Sequence, residues 1–180
     1  MNLTQPPASG TRLILMRHAK SDWGHEGLSD HDRPLNQRGR RDTPEMAKWI
    51  AQNGFQPDLI LCSSALRTRQ TAELMLEQWA DPPAVFVTQR LYLATSEQIF
   101  RVVQEDSILP DEDSSKIPLT VLLLAHNPGI SEAAGWLTRR MIAMPTAALA
   151  VMNRDATDWS RRIEPEQMQC VAVMKPKALP

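Results

Sequence analysis

Cysteine is scarce: Cys62 and Cys170 are the only two in 180 residues, and they form no CxxC pair. That excludes a disulfide framework and a cysteine-built zinc site, and leaves reduced, partly buried thiols as the expectation. An excess of charge of one sign is lacking too. Lysine plus arginine number 20 against 21 aspartate plus glutamate, with no long basic block of the kind that tracks a phosphate backbone, so nucleic acid is not an expected partner. No stretch approaches the ~20 apolar residues that span a bilayer. The opening MNLTQPPASG has neither the charged flank nor the apolar run of a secretory signal, so no membrane partner and a soluble, cytoplasmic protein are expected. What the chain does have is 42% hydrophobic residues in a length that suits one domain with a real core. The reading is a disordered leader over 1–10, a domain over 11–175 and a tail over 176–180.

Along the chain, one pattern occurs three times. Arg12 to Met16 (RLILM) is a short apolar run that ends in Arg17-His18; Asp58 to Cys62 (DLILC) ends in Ser63-Ser64; Leu119 to Ala125 (LTVLLLA) ends in His126-Asn127-Pro128-Gly129. Each reads as a buried strand that delivers polar residues to a turn, and each is followed by a helical stretch. The expected helices run to about Asn53 with Met46, Trp49 and Ile50 on one face, past Trp79 with Ala72, Met75 and Leu76, over Ser96 to Gln104 with Ser96 as cap, and through about Arg139. Pro44 lies in the first turn of the first helix or kinks it. A further strand is read at Ala84 to Val87, and three antiparallel strands at Ala147 to Met152, Trp159 to Ile163 and Cys170 to Met174. The fold class is therefore α/β: a single-domain sheet, mainly parallel, with antiparallel C-terminal strands and helices on both faces.

Two segments between these elements are long. Ala19 to Asn36 is a polar loop, and loops of that length are more often functional than idle. Glu105 to Pro118 carries five acidic residues, two prolines and one lysine, and reads as a solvated loop, with a docking surface for a basic partner as the alternative. His25 and His31 read as loop surface rather than metal ligands; Trp49, Trp79 and Trp136 read as core.

In open α/β sheets, ligands bind beyond the carboxyl ends of the strands. Here those ends bring Arg17, His18, Arg67 and His126 toward one place. Guanidinium forks donate paired hydrogen bonds to phosphate, and imidazole serves as nucleophile or donor, so the cluster matches a transferred phosphoryl group. Catalysis of that transfer consists largely of cations and donors placed around an in-line nucleophile. His18 is the candidate nucleophile, its other ring nitrogen held as N–H by an acceptor that the sequence does not identify. Arg17 and Arg67 are the candidate clamps on the oxygens. His126 is a further donor, and the Asn127 backbone N–H, at the mouth of a helix, another. Lys20 and Ser21 follow the nucleophile closely enough to touch phosphate, although a capping or solvated role fits them equally.

LILMRHAKS, then SSALRTRQTAE, then LLLAHNPG, in that order, resembles the signature of the histidine phosphatase superfamily, also called phosphoglycerate-mutase-like, over about Thr11 to Lys175. The resemblance implies that His18 carries a covalent phosphoryl group, with Arg17, Arg67 and His126 completing the pocket and no metal or cofactor. RHAKSDW, DRPLNQRG and AHNPG are most similar to the bacterial SixA-type phosphohistidine phosphatases, which implies a phosphorylated protein as partner. Ala19 stands where many members have glycine, and Ser64 where many have proline.

A third departure bears on substrate. Mutases and phosphomonoesterases of the superfamily usually carry an acidic residue just after the third strand, where this chain reads QRLYLATSEQIF. Glu97 is the nearest candidate acid, in a setting that equally suits an ordinary carboxylate of a helix's first turn; Asp22 and Asp32 are weaker ones. An alkoxide leaving group gains about 10²- to 10⁴-fold from protonation. Imidazole needs less help, so a missing acid is compatible with N–P cleavage. The chain also has no room between Gln70 and His126 for a large helical lid, and an open pocket can admit a protein surface. A small-molecule phosphomonoesterase and a non-catalytic phosphate-binding module are the alternatives.

Overall fold

The computed structural model describes residues 10–24, 27–107 and 119–179. Its sheet has six strands in the order β3-β2-β4-β1-β5-β6. They are β1 (Thr11–Arg17), β2 (Leu59–Ser63), β3 (Ala84–Thr88), β4 (Thr120–Ala125), β5 (Leu149–Arg154) and β6 (Met168–Met174). β1, β2, β3 and β4 are mutually parallel, while β5 runs antiparallel to both β1 and β6. The parallel strands therefore all end on one edge.

Because successive strand residues face opposite sides, each buried strand supplies two cores. Leu13, Leu15, Leu59, Leu61, Val121 and Leu123 face one layer, which holds α3 (Ser96–Asp106) through Ile99, Val102 and Val103 and α4 (Gly129–Thr138) through Ile130, Ala133 and Leu137. Ile14, Met16, Ile60, Cys62, Leu122 and Leu124 face the other, which holds α1 (Gln37–Gln52) through Met46, Ala47 and Ile50 and α2 (Leu66–Leu76) through Ala72 and Met75. Uninterrupted apolar runs are thus what a sheet covered on both faces requires.

Local departures from expectation have visible causes. Trp159 to Ile163 is not a strand: the buried Arg154 guanidinium takes the carbonyls of Asp158, Arg161 and Arg162, which draws that segment into a loop around one cation. Trp159 and Ile163 are buried by that wrapping rather than by strand pairing. Thr95, not Ser96, caps α3, in a reciprocal capping box with Gln98. Pro44 lies inside α1, in its second turn. Trp79 is buried beyond the end of α2, whereas Trp136 is 41% exposed on α4 and stacks on Phe100. Cys62 is buried and Cys170 exposed. Beyond residue 175 the chain makes a further turn, Pro176–Ala178, and Leu179 packs on the core. The expected leader falls almost wholly, and the acidic loop over 108–118, outside the described residues; Asp106, at the end of α3, pairs with Arg90 at 3.0 Å. Among the described residues no helix is long and apolar enough to cross a membrane.

Candidate active site

The carboxyl ends of β1, β2 and β4 build a pocket of about 210 Å³ lined by Arg17, His18, Lys20, Ser21, Asp30, Arg33, Arg67, His126 and Asn127, with Trp23, Leu93 and Thr146. His18 is held by backbone bonds at both ends: its N–H donates to the Ala125 carbonyl, and its own carbonyl accepts from Ala147. Its ring Nδ1 lies 2.7 Å from the Ala19 carbonyl, which can only accept, so Nδ1 bears the hydrogen and Nε2 the lone pair. The acceptor missing from the sequence is thus the next peptide. Nε2 faces Arg67, whose Nε donates to it at 3.3 Å. Burial first, then the neighbouring His126, push the His18 pKa well below its ordinary value, with Arg67 and Arg17 adding to the depression against the opposing pull of the Ala19 carbonyl. The ring is a neutral imidazole with an available nucleophilic nitrogen.

His126 packs against it, ring centroids 5.0 Å apart. Arg67 Nη2 donates to His126 Nδ1 at 3.2 Å, so Nε2 carries the hydrogen and donates to Ser63 Oγ at 2.7 Å. Burial, and then the Arg67 charge, lower its pKa to about 3. In this state Nδ1 is an acceptor rather than the donor expected from sequence. Arg17 donates through Nη1 to the Met144 carbonyl at 3.1 Å, and its buried Nε has no partner among the described residues. The guanidinium lines the pocket, where its charge faces an entering oxyanion.

The rest of SSALRTRQTAE has definite work in the fold. Ser63 and Ser64 do not cap α2, which starts without a side-chain cap; Ser63 Oγ holds His126, and Ser64 Oγ bonds His31 and Gln89. Gln70 accepts from the Leu35 N–H at 2.8 Å, and Thr71 from the Ala19 N–H at 3.1 Å, so α2 fixes the peptides on both sides of the long loop. That loop then turns into α1, capped by Asn36, whose Oδ1 accepts from the Gly39 N–H at 3.0 Å. A Cβ on Gly39 would lie 2.3 Å from the Lys20 carbonyl, which leaves room for glycine alone.

Sequence reasoning missed four residues. Arg33, buried to 7% exposure, donates to Ser21 Oγ, the Asp22 carbonyl and Asp30, and lies under the Trp23 ring. Asp30 takes Arg33 on Oδ1 at 2.7 Å, and Arg67 and Tyr92 on Oδ2, each at 2.9 Å. Tyr92 places its ring edge-on to His126. Leu93 closes one side. The signal for Asp30 was present, a carboxylate three residues before an arginine in the loop that follows His18, but Asp22 and Asp32 look the same in a sequence. Of the residues anticipated as acids, Glu97 is 83% exposed in its side chain, pairs with Arg101 and lines a different groove. Asp22 accepts from Gly24, and Asp32 is bound to Ser29 and His31; neither lines the pocket. His31 is a half-buried loop residue: its ring meets Tyr92 edge-on and Nε2 bonds Ser64. Ser21 is buried by its bond to Arg33, while Lys20 stands at the rim. Asn127 is anchored by its amide, Nδ2 to the Met144 carbonyl and Oδ1 to Ser131. His25 lies outside the described residues.

The model of the histidine phosphatase superfamily (branch 1) matches residues 13–91. An uncharacterised chloroplastic protein of Arabidopsis thaliana is 33% identical over 156 residues, covering 82% of this chain and 68% of that one. An uncharacterised protein of Mycobacterium leprae is 31% identical over 175 residues, covering 90% of this chain and all of that one. Among solved structures, a protein of Agrobacterium tumefaciens assigned as the phosphohistidine phosphatase SixA superposes with a TM-score of 0.75 at 25% identity, over 92% of this chain and 98% of its own. The chain belongs to the histidine phosphatase superfamily. Its fold and its likeness to the SixA structures put it in the SixA-type branch, among phosphatase hydrolases. Here Arg17 and Asn127 border both the pocket and a long groove between α3 and α4, floored by Phe100 and Trp136 and edged by Arg140 and Lys175.

Proposed function

We propose that the protein is a phosphohistidine phosphatase that acts on a protein substrate through a covalent phosphohistidine on His18. One observation carries the reading: His18 presents an unprotonated Nε2, fixed by the Nδ1–H bond to Ala19, into a pocket lined by Arg17, Arg67 and His126. The substrate phosphorus lies in line with Nε2. As the Nε2–P bond forms, the substrate N–P bond breaks, and a leaving ring protonated at its other nitrogen departs as neutral imidazole. Arg17 and Arg67 hold the equatorial oxygens, His126 donates from Nδ1 once the anion has brought it a proton, and the Asn127 N–H adds to them. Water then takes the phosphoryl group from His18 and releases inorganic phosphate.

Two features favour nitrogen over oxygen as leaving atom. Glu97 lines the groove and not the pocket, and the carboxylate that does line the pocket, Asp30, is held ionised: burial raises its pKa, but the bonds from Tyr92 and Arg67 outweigh that and leave it below the ordinary value. An ionised carboxylate has no proton to give an alkoxide. The open groove, with exposed Met141 and Trp136 beside Arg140 and Lys175, favours a protein over a small ester. In a comparison of kcat/KM, a phosphohistidine-bearing protein is expected to exceed an aryl phosphate, and Arg140→Glu with Lys175→Glu to raise KM for the protein alone. Equal loss on both substrates, or a preference for the ester, contradicts the reading and favours a small-molecule phosphomonoesterase.

A further inference from the structure

Asp30 occupies an unusual place. It lies in the loop after the candidate nucleophile, outside the three motifs, yet it is the residue most fully bonded to the site's cations. Its backbone carbonyl and its Oδ2 both accept from Arg67, from Nη1 and Nη2, so one residue takes one edge of that guanidinium. The adjacent edge, Nε and Nη2, faces His18 Nε2 and His126 Nδ1. The carboxylate is itself fixed from two further directions, by Arg33 on Oδ1 and by the Tyr92 hydroxyl on Oδ2. Arg33 is in turn tied to Ser21 and to the Asp22 carbonyl.

We infer that Asp30 is a positioning residue for phosphoryl transfer: it clamps the outer edge of Arg67 so that the inner edge meets the transferring phosphoryl group, and it gives no proton to the leaving group. The inference rests on the reading of His18 as nucleophile. Its physical basis is geometric. Arginine has many rotamers, and a guanidinium held by one residue through two bonds loses its freedom before substrate arrives rather than during the reaction. A planar fork used on both edges is also the arrangement that lysine could not reproduce. Asp30 further offsets one of the charges of Arg17, Arg33 and Arg67, so that release of phosphate is not impeded by three uncompensated cations.

The test compares wild type with Asp30→Asn and Tyr92→Phe. Misplacement of a group that holds the phosphoryl oxygens costs on the order of 10- to 100-fold. Asp30→Asn is expected to lower kcat by that factor with little change in KM, and equally for a series of aryl phosphates whose leaving groups differ in basicity. In the nitrogen NMR spectrum, the Arg67 Nε–H signal is expected sharp in wild type and broadened in Asp30→Asn. Tyr92→Phe, which removes one donor from the carboxylate, is expected to give a smaller kcat loss of the same kind. A loss that grows with leaving-group basicity and removes the basic limb of the kcat profile would make Asp30 the general acid and overturn the proposal. So would unchanged kcat in both variants, or an Arg67 signal that stays sharp in Asp30→Asn. If wild type forms no phosphoenzyme, the nucleophile assignment fails instead, and the Arg67 signal still decides whether Asp30 clamps it.

Discussion

At the scale of single residues, the site works by keeping two histidines neutral among cations. Burial favours the uncharged ring, and in His18 the neighbouring His126, Arg67 and Arg17 act in the same direction. A group with a depressed pKa in the free enzyme moves the acid limb of kcat/KM to lower pH, so activity should persist well below pH ~6.5, the ordinary histidine value. Folding is linked to the same shift. The unfolded chain binds protons in this range before the folded one, so stability is full above pH ~6.5 and falls as pH drops toward the lowered values. NMR titration of the two rings checks the cause: both stay neutral at pH 6, and in Arg67→Gln the His18 titration moves upward, because one of the charges that opposes protonation is gone. A His18 that titrates at its ordinary value in wild type would contradict this account. Arg17, His18 and His126 were legible because they end apolar runs, and Arg67 because it opens the helix that follows another such run, in a fixed order. Asp30 was not, since nothing in a polar loop distinguishes the partly exposed carboxylate that lines the pocket from Asp22 and Asp32, which do not.

At the scale of elements, the site depends on how closely helices approach the loops that carry its residues. The start of α4 is the clearest case. A Cβ on Gly129 would lie 1.9 Å from the Ala94 carbonyl oxygen, and both atoms belong to backbone that cannot move alone. Gly129→Ala must separate α4, which follows His126, from the turn that carries Tyr92 and Leu93. Overpacking of this kind costs about 1–3 kcal/mol. Thermal unfolding is expected to show a lowered Tm, and turnover of an aryl phosphate should fall with it; an unchanged Tm would mean that the contact is looser than described. Most elements were readable from their periodicity, yet periodicity does not say what lies opposite. Trp136 falls on the expected face of α4 and its ring packs on Phe100 of α3, yet it stays partly exposed, and both residues line the groove. The segment Trp159 to Ile163 has strand-like residues, and the Arg154 side chain, only a few residues before it, bends it into a loop, a side-chain contact that periodicity does not encode.

At the scale of the whole molecule, the parallel core of the sheet sets function by ending four strands on one edge, so that residues from positions 17, 18, 67 and 126 meet in one pocket. Strand order could not be read from the chain, because β4 enters between β1 and β2 although it follows both in sequence. The same topology leaves the pocket continuous with the groove between α3 and α4, which is where a protein bearing the phosphoryl group would approach. The central claim is that His18 becomes covalently phosphorylated. Incubating wild type and His18→Ala with a phosphohistidine-bearing protein, and quenching in base, tests it directly. The account predicts acid-labile, base-stable phosphate on wild type alone. Phosphate on neither protein, with substrate bound, would contradict it and leave a phosphate-binding module; label on both would place the nucleophile elsewhere.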